Sequence, residues 1–175
     1  MDEEIKMLTR EESLKYYNDN EYREEINVKY KKVLINFFLN QNIVDMKPLG
    51  SVHTLELSCC DNIVDVSALG SVHTTPCLSK NSTKLRQAML ASTTSCTSRS
   101  ESGVTRVGSV HTLNLSKCKN IKDVSALGSV LKLDLSDCQN IIDVSALGSV
   151  HELNLHGCKK IKDIGNLFAV SIHFI

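Results

Sequence analysis

Tryptophan is absent from this sequence, and aromatic residues make up 5% of its 175 residues. That scarcity argues against a wide, aromatic-lined pocket for a small-molecule substrate. Lysine plus arginine and aspartate plus glutamate number 20 each, which gives a formal net charge of +0. Because no overall field attracts polyanions, we expect no nucleic-acid partner.

Long hydrophobic runs are also missing. No apolar stretch approaches the ~20 residues that a membrane span needs, so we expect no membrane partner. The first residues, Met-Asp-Glu-Glu-Ile-Lys, lack the basic and apolar regions of a secretory signal. Seven cysteines without such a signal indicate reduced thiols. These features predict a cytoplasmic protein.

A repeat dominates what is present. The tripeptide Gly-Ser-Val begins at positions 50, 70, 108, 128 and 148. Successive copies are therefore 20, 38, 20 and 20 residues apart. The interval of 38 residues is two short of two full periods, which indicates a missing or damaged copy. Such self-similarity is the signature of stacked repeat architectures.

Apolar residues recur at fixed places in each copy. The copies at 52–69, 130–147 and 150–167 follow the pattern of 110–127. In that copy the pattern is Val110, Leu113, Leu115, Cys118, Ile121, Val124 and Leu127. A degenerate earlier copy, beginning near Val33, has Ile35, Phe37, Asn40 and Ile43 at the equivalent positions.

The residue pattern of one copy predicts its secondary structure. Thr-Leu-Asn-Leu-Ser alternates apolar and polar residues, as in a half-buried strand, and stacked copies would pair these strands as a parallel sheet. The segment Asp-Val-Ser-Ala-Leu-Gly then turns the chain back. We expect Asp123 and Asp143 to cap a short helical or 3₁₀ turn, and Gly128 and Gly148 to adopt left-handed conformations after it.

The spacing resembles the leucine-rich-repeat family, from Val33 to about Leu167. Cys-Lys-Asn-Ile-Lys-Asp-Val-Ser-Ala-Leu is similar to the cysteine-containing repeats of F-box-type ubiquitin-ligase receptors and to internalin-like repeats. The near-identical copies also resemble repeat proteins of large DNA viruses of amoebae. The resemblance implies an α/β solenoid, an arc with a parallel β-sheet on the concave face. It also implies short turns or 3₁₀ segments on the convex face and a helical N-terminal cap.

Four regions are expected. Residues 1–32 form a charged, helical N-terminal cap, and 33–73 hold repeats of which the first is degenerate. Residues 74–107 are a degenerate or frame-shifted repeat, poorly ordered, or alternatively an inserted recognition loop; the nearly conserved length and abrupt ends favour the former. Repeats resume over 108–175, with an irregular C-terminal end. If 74–107 does not continue the solenoid, the concave face should be divided into two pieces.

Two helices are predicted in the N-terminal region, at about 3–17 and 20–32. Thr9 and Glu12 fit a capping box. An N-terminal cap that covers the apolar edge of the first copy is the favoured interpretation, because solenoids need such a cap for solubility. The alternative is a docking helix for another protein, such as a degenerate F-box.

Cysteines and histidines each recur at one position of the repeat, which makes them candidates for a metal site or a reactive site. Cys60, Cys118, Cys138 and Cys158 share one repeat position, but parallel side chains do not converge on a metal ion. We expect them to be buried thiols that donate weakly to backbone carbonyls, with Cys59 more exposed. His53, His73, His111 and His151 share another position, and only His53 and His73 should be neighbours. We expect no catalytic, metal or cofactor site.

Solvent-facing strand positions vary between copies while core positions hardly vary, which predicts a protein-binding concave face. These positions are Thr54, Glu56, Ser58, Thr112, Asn114, Ser116, Lys132, Asp134, Ser136, Glu152, Asn154 and His156. The expected function is a non-enzymatic protein-interaction module in the cytoplasm, or in the host cytoplasm if the protein is viral. Alternatives are a substrate receptor of a ubiquitin ligase and a decayed repeat protein without activity.

Overall fold

The computed structural model of the chain describes residues 5–70, 110–165, 167 and 171–173. Two α-helices lie near the N-terminus, α1 (Arg10–Asn18) and α2 (Asn20–Lys29). The strands are β1 (Ile5–Met7), β2 (Lys32–Asn36), β3 (Thr54–Glu56), β4 (Thr112–Asn114), β5 (Lys132–Asp134), β6 (Glu152–Asn154) and β7 (Ser171–His173). Short 3₁₀ segments follow β2 to β5, at Lys47–Leu49, Ser67–Leu69, Ser125–Ser129 and Ser145–Ser149.

All seven strands form one parallel sheet, and their order in the sheet is their order in the chain. Parallel neighbours cannot be joined by a tight turn, so the chain must cross back over the sheet after each strand. The 3₁₀ segments lie in these return paths. The structure is thus an all-parallel α/β arrangement with few helices.

The core consists of ladders of equivalent residues from successive copies. Leu55, Leu113, Leu133 and Leu153 are register partners on adjacent strands, and none of them is more than 2% exposed. Ile35 continues this ladder into β2. Burying one such side chain stabilises the fold by about 1.5–3 kcal/mol. A single copy has only one rung of each ladder, so its core exists only through its neighbours.

The degenerate first copy takes part in the same core. Ile35, Phe37 and Ile43 are at most 3% exposed, and Asn40 is 8% exposed. The Asn40 side-chain oxygen accepts a hydrogen bond from the N–H of Asn42 at 3.0 Å. Asparagine is therefore tolerated at the cysteine position because a local backbone donor satisfies its side chain.

The predicted first helix, 3–17, is too long at its N-terminal end. Ile5–Met7 is a strand instead, paired in parallel with Lys32–Leu34. The capping box sets the start of α1: Thr9 N–H donates to Glu12 Oε2 at 2.8 Å, and Glu12 N–H donates to Thr9 Oγ1 at 3.3 Å. The second helix also ends early, at Lys29, because β2 begins at Lys32.

The aspartate before each 3₁₀ segment closes the turn with its side chain, as expected, but it does not occupy the cap position. Ser125 N–H donates to Asp123 Oδ1 at 2.9 Å, and Ser145 N–H donates to Asp143 Oδ1 at 2.8 Å. The residue directly preceding the 3₁₀ segment is Val124 or Val144. Each aspartate therefore makes an Asx-type turn one residue before the cap position that we expected.

The prediction of left-handed glycines after the turn is wrong. Gly128 and Gly148 lie inside 3₁₀ segments, and Gly70 has a φ of −94°. Their small size has another reason: a Cβ on Gly70 would collide with the carbonyl oxygen of Ala126, and one on Gly128 with that of Ala146. The glycine lets the backbones of adjacent copies approach closely.

The left-handed position lies elsewhere in the copy, directly before the cysteine or asparagine. Its φ is +58° to +62° in the four copies where the residue is not glycine and +72° at Gly157. The four are Leu39, Cys59, Lys117 and Asp137. Left-handed residues that carry a Cβ are strained by about 1 kcal/mol or more, so the stacked fold must impose this turn on each copy.

The sheet is continuous between β3 and β4. Thr54, Leu55 and Glu56 pair directly with Thr112, Leu113 and Asn114. The expectation that loss of the solenoid over 74–107 would divide the face into two pieces is therefore wrong. The expected poor order of 74–107 itself lies outside the described residues.

Candidate functional site: the outer face of the sheet

The twelve predicted partner-binding residues occupy three rows that run across β3 to β6. We call their surface the outer face. The first row is Thr54, Thr112, Lys132 and Glu152; the second is Glu56, Asn114, Asp134 and Asn154. The third row, just after the strands, is Ser58, Ser116, Ser136 and His156. The register places the first two rows side by side, and the third row follows them; all of these residues except Ser58 are at least partly exposed.

The second row has a structural role that the sequence reading missed. In every copy its side-chain oxygen accepts from the backbone N–H two residues later, at 2.8–3.1 Å. The degenerate copy does the same, since Phe38 N–H donates to Asn36 Oδ1 at 2.9 Å. The signal was visible in the sequence: each copy has asparagine, aspartate or glutamate here, all of which can accept.

Side chains of the second row also pair across strands. Asn114 Nδ2 donates to Glu56 Oε2 at 2.9 Å, and Asn154 Nδ2 donates to Asp134 Oδ2 at 3.1 Å. Each amide therefore neighbours a carboxylate, which satisfies both groups. Variation in this row is constrained by hydrogen bonding, so it is weaker evidence for selection by a partner than the sequence alone indicates.

The first row is less constrained. Thr54 and Thr112 are half-buried, whereas Lys132 and Glu152 are exposed. Lys132 Nζ lies 2.8 Å from Glu152 Oε1, and both side chains are 47% exposed. An ion pair this exposed contributes about 0–1 kcal/mol to stability. This row can therefore change without much effect on the fold.

Exposure falls off in part of the third row. Ser58 is 7% exposed, and its hydroxyl donates to Glu56 Oε1. The prediction that Ser58 faces solvent is wrong, because the longer Glu56 side chain folds back over it. Ser116 and Ser136 are half-buried, and His156 is exposed.

A depression of ≈ 390 Å³ lies over the outer face between β3 and β6. Leu113, Leu133 and Leu153 contribute to its lining. The predicted residues that also line it are Glu56, Thr112, Asn114, Lys132, Asp134, Glu152 and Asn154. The other predicted residues, Thr54, Ser58, Ser116, Ser136 and His156, lie outside it. Three carboxylates and one ammonium group make this hollow acidic.

The outer face continues onto β1 and β2 with an apolar character that the sequence did not indicate. Met7 pairs with Leu34, which in turn pairs with Thr54. Met7 is 72% exposed and Phe38 is 51% exposed. The outer face is thus apolar at its N-terminal end and polar or charged from β3 onward.

Three of the four cysteines of the ladder are buried, as predicted, whereas Cys158 is only half-buried. Cys60, Cys118 and Cys138 have no exposed surface. Their thiols donate to carbonyl oxygens of the preceding copy, Phe37, Leu57 and Leu115, at 3.1–3.2 Å. Burial raises the pKa of Cys118 and Cys138 to about 12, so these thiols are poor nucleophiles. Cys59 is more exposed than Cys60, also as predicted.

The histidine ladder differs from the prediction. His53 stacks on His111, with ring centroids 4.7 Å apart and planes 15° apart. They are neighbours because β3 and β4 are adjacent, whereas His73 lies outside the described residues. Within the parts of the chain that the structure describes, no group of three or more histidine, cysteine or acidic side chains could hold a metal ion.

Three comparisons with known proteins complete the description. No protein-family model matches the chain, and no curated protein and no solved structure matches it significantly either. The family resemblance therefore depends on the residue pattern and its spacing. Among the described residues, no helix has the length and apolar character needed to cross a membrane.

Proposed function

We propose that the chain is a leucine-rich-repeat solenoid and a non-enzymatic protein-interaction module of the cytoplasm, which binds a protein partner through its outer, concave face. One observation carries this proposal. The pairing of β3 with β4 joins the first-row side chains, which vary between copies, into one surface around a single depression.

The positions that vary between copies are those that the fold does not constrain, which supports partner binding through the outer face. Core residues repeat because they pack, and the second row repeats its acceptor because it closes the turn. The first row neither packs in the core nor closes a turn. Its residue changes from threonine in β3 and β4 to lysine in β5 and glutamate in β6. Variation confined to exposed positions on a rigid scaffold is what partner recognition requires.

The choice of test residues follows from this difference. Replacing Glu56 or Asp134 with alanine would remove a turn acceptor and a cross-strand pair, so lost binding could reflect lost stability. Thr112 and Lys132 line the depression without closing a turn. The face variant is therefore Thr112→Arg with Lys132→Glu, which fills the depression and reverses a charge.

The matched control carries the same kinds of change away from the outer face. Val64 is 59% exposed and Lys122 is exposed, and both lie in return paths between strands. Val64→Arg with Lys122→Glu alters size and charge equally. Tagged wild type, face variant and control should be used to capture partners from cytosol, with the captured proteins quantified by mass spectrometry.

We expect one or more proteins to be retained by wild type and control and reduced about tenfold or more by the face variant, because a few central side chains dominate most interfaces. All three chains should show the same melting temperature. Equal capture by the face variant and the control would contradict binding through the outer face.

The ubiquitin-ligase receptor is the alternative, with residues 1–32 docking the ligase. The helices of this region bury Tyr16 and Ile26 against the first copy. Tyr16 Oη also donates to Asn27 Oδ1 at 2.8 Å and lies 3.1 Å from Ser51 Oγ. These contacts favour a cap that belongs to the fold over a separate docking module.

A further inference from the structure

The two ends of the sheet are finished differently. At the N-terminal end, α1 and α2 cover the first copy, and Phe37, Ile43 and Met46 are at most 2% exposed. At the other end β7 is the last strand, but the copy that contains β6 is only partly covered. Cys158 and Ile161 are half-buried and Ile164 is 44% exposed. Their equivalents one copy earlier, Cys138, Ile141 and Val144, are at most 1% exposed.

This C-terminal edge forms a hollow of ≈ 400 Å³. Its lining is Leu155, His156, Gly157, Cys158, Lys159, Ile161, Lys162 and Ile164. Lys160 lies beside it, and all three lysines are exposed. The nearby carboxylate, Asp163, already accepts from Gly165 N–H at 2.8 Å. The edge therefore combines exposed isoleucine with three lysines and one carboxylate, a net positive charge, and it suits an acidic surface with an apolar centre.

Such a surface exists on the chain itself. Glu21, Glu24, Glu25 and Val28 are exposed and follow i, i+3, i+4, i+7 spacing, so they share one face of α2. Val28 is 89% exposed. The opposite face of the helix is used internally through Ile26, which is 6% exposed. The outward face of α2 thus presents three carboxylates around a solvated valine.

We infer that the C-terminal edge of one chain binds the outward face of α2 of a second copy. In this arrangement Lys159, Lys160 and Lys162 meet Glu21, Glu24 and Glu25, and Val28 covers Ile161 and Ile164. Contacts between two C-terminal edges or between two α2 faces would oppose like charges. The association is therefore head to tail, and because its two surfaces differ it can add further chains at both ends.

The test is a charge swap followed by sedimentation. One variant carries Lys159→Glu, Lys160→Glu and Lys162→Glu; the other carries Glu21→Lys, Glu24→Lys and Glu25→Lys. A control with the same change in net charge as the first variant carries Lys47→Glu, Lys117→Glu and Lys122→Glu, which lie away from both surfaces. Circular dichroism checks that each variant is folded before its mass is measured from micromolar to near-millimolar concentration.

Wild type and control should increase in average mass with concentration, and added salt should reduce this. Each swapped variant alone should stay monomeric, with association weakened about 100-fold or more, because like charges then face each other. Mixing the two swapped variants should restore association. A wild type that stays monomeric throughout, a control as defective as the swaps, or a mixture that stays monomeric would each overturn the inference.

Discussion

Two junctions of the sheet have very different sequence and nearly the same geometry. Residues paired between β4 and β5 are one period apart, as in Leu113 and Leu133. Those paired between β3 and β4 are 58 residues apart. Yet Leu57 N–H donates to Asn114 O at 2.8 Å, and Leu115 N–H donates to Asp134 O also at 2.8 Å. The length of the connection does not determine how the copies stack.

Side-chain hydrogen bonds across the two junctions are similar as well. Asn120 Nδ2 donates to Asp61 O across the interrupted junction, and Asn140 Nδ2 donates to Lys119 O across the uninterrupted one, both at 2.7 Å. The thiol contact differs by only 0.1 Å, 3.2 Å for Cys118 and 3.1 Å for Cys138. The residues of each copy therefore determine how it stacks on its neighbour, whatever the length of the connection between them.

The largest expected effect is from the core. Leu57→Ala and Leu115→Ala should each lower the free energy of unfolding by about 2–5 kcal/mol, because each removes a fully buried side chain and leaves a cavity. Both leucines are 0% exposed. Urea unfolding of the two variants should give similar losses. A much smaller loss for Leu57→Ala would show that the interrupted junction is packed more loosely.

Deleting the intervening chain is the next test. Removing residues 71–108 joins Gly70 to Ser109 and recreates the Leu-Gly-Ser-Val-His sequence found at 49–53 and 147–151. The variant should keep a single cooperative transition and gain up to about 2–3 kcal/mol, because a longer connection between paired strands costs more closure entropy than a short one.

Thermal and urea unfolding measure this change. Backbone amide exchange at Leu57 reports the interrupted junction directly, and exchange at Leu115 reports the uninterrupted one. Deletion of one whole copy, residues 128–147, is the comparison; it removes a core rung and should destabilise the protein. If deleting 71–108 is as harmful as that deletion, the junction depends on the intervening residues.

Glycine substitutions test how closely the backbones approach. Gly70→Ala and Gly128→Ala should each cost about 1–3 kcal/mol, because the new Cβ meets a carbonyl oxygen of the next copy and not a flexible side chain. Gly165→Ala is the control, since its Cβ would lie 3.1 Å from Asp163 Oδ1, a side-chain atom. Melting temperatures unchanged by Gly70→Ala would show that the copies are further apart at the interrupted junction.

The sequence predicted what each copy determines by itself. The core ladder, the buried cysteines, the Thr9–Glu12 capping box and the aspartate turns all follow from residue types at fixed spacing. It could not predict β1, because a three-residue strand has too little periodicity to be distinguished from a helix start. It could not predict the pairing of Leu55 with Leu113 either, because the register depends on contacts between copies. The turn acceptors at Glu56 and Asp134 were mistaken for freely varying positions, since their partners are backbone groups.

Asparagine substitutions should have a smaller effect. Asn120→Ala and Asn140→Ala each remove one exposed hydrogen bond to a carbonyl of the preceding copy. Asn140→Ala also removes the exposed bond that Asn140 Oδ1 accepts from Lys160 Nζ at 2.6 Å. Net contributions of such bonds are about 0.5–1.5 kcal/mol, and exposure places these at the low end. Chemical denaturation should therefore give a loss for Asn140→Ala that is equal to or slightly larger than that for Asn120→Ala. A larger loss for Asn120→Ala would mean that the interrupted junction relies on this contact more than the uninterrupted one.

The smallest expected effect concerns acid. Hydrogen bonds from Ser67, first its hydroxyl and then its N–H, lower the pKa of Asp65 in the folded chain. Hydrogen bonds from Ser145, first its N–H and then its hydroxyl, do the same for Asp143. A carboxyl whose pKa is lowered by folding stabilises the protein above its ordinary pKa of about 3.9, and this contribution is lost as pH falls through the folded value.

Asp65→Asn and Asp143→Asn should therefore flatten the fall in unfolding free energy between about pH 5 and pH 3. Asp65 precedes the interrupted connection and Asp143 precedes an uninterrupted one. Equal flattening would therefore show that the turn forms independently of the connection that follows it. Urea unfolding at several pH values measures it. Ser67→Ala and Ser145→Ala, which remove the hydroxyl donor but keep the carboxylate, should flatten the fall only in part. A wild-type slope in both asparagine variants would mean that these turns do not contribute to acid sensitivity. Flattening for Asp143→Asn alone would locate the difference between the junctions in the turn that precedes the intervening chain.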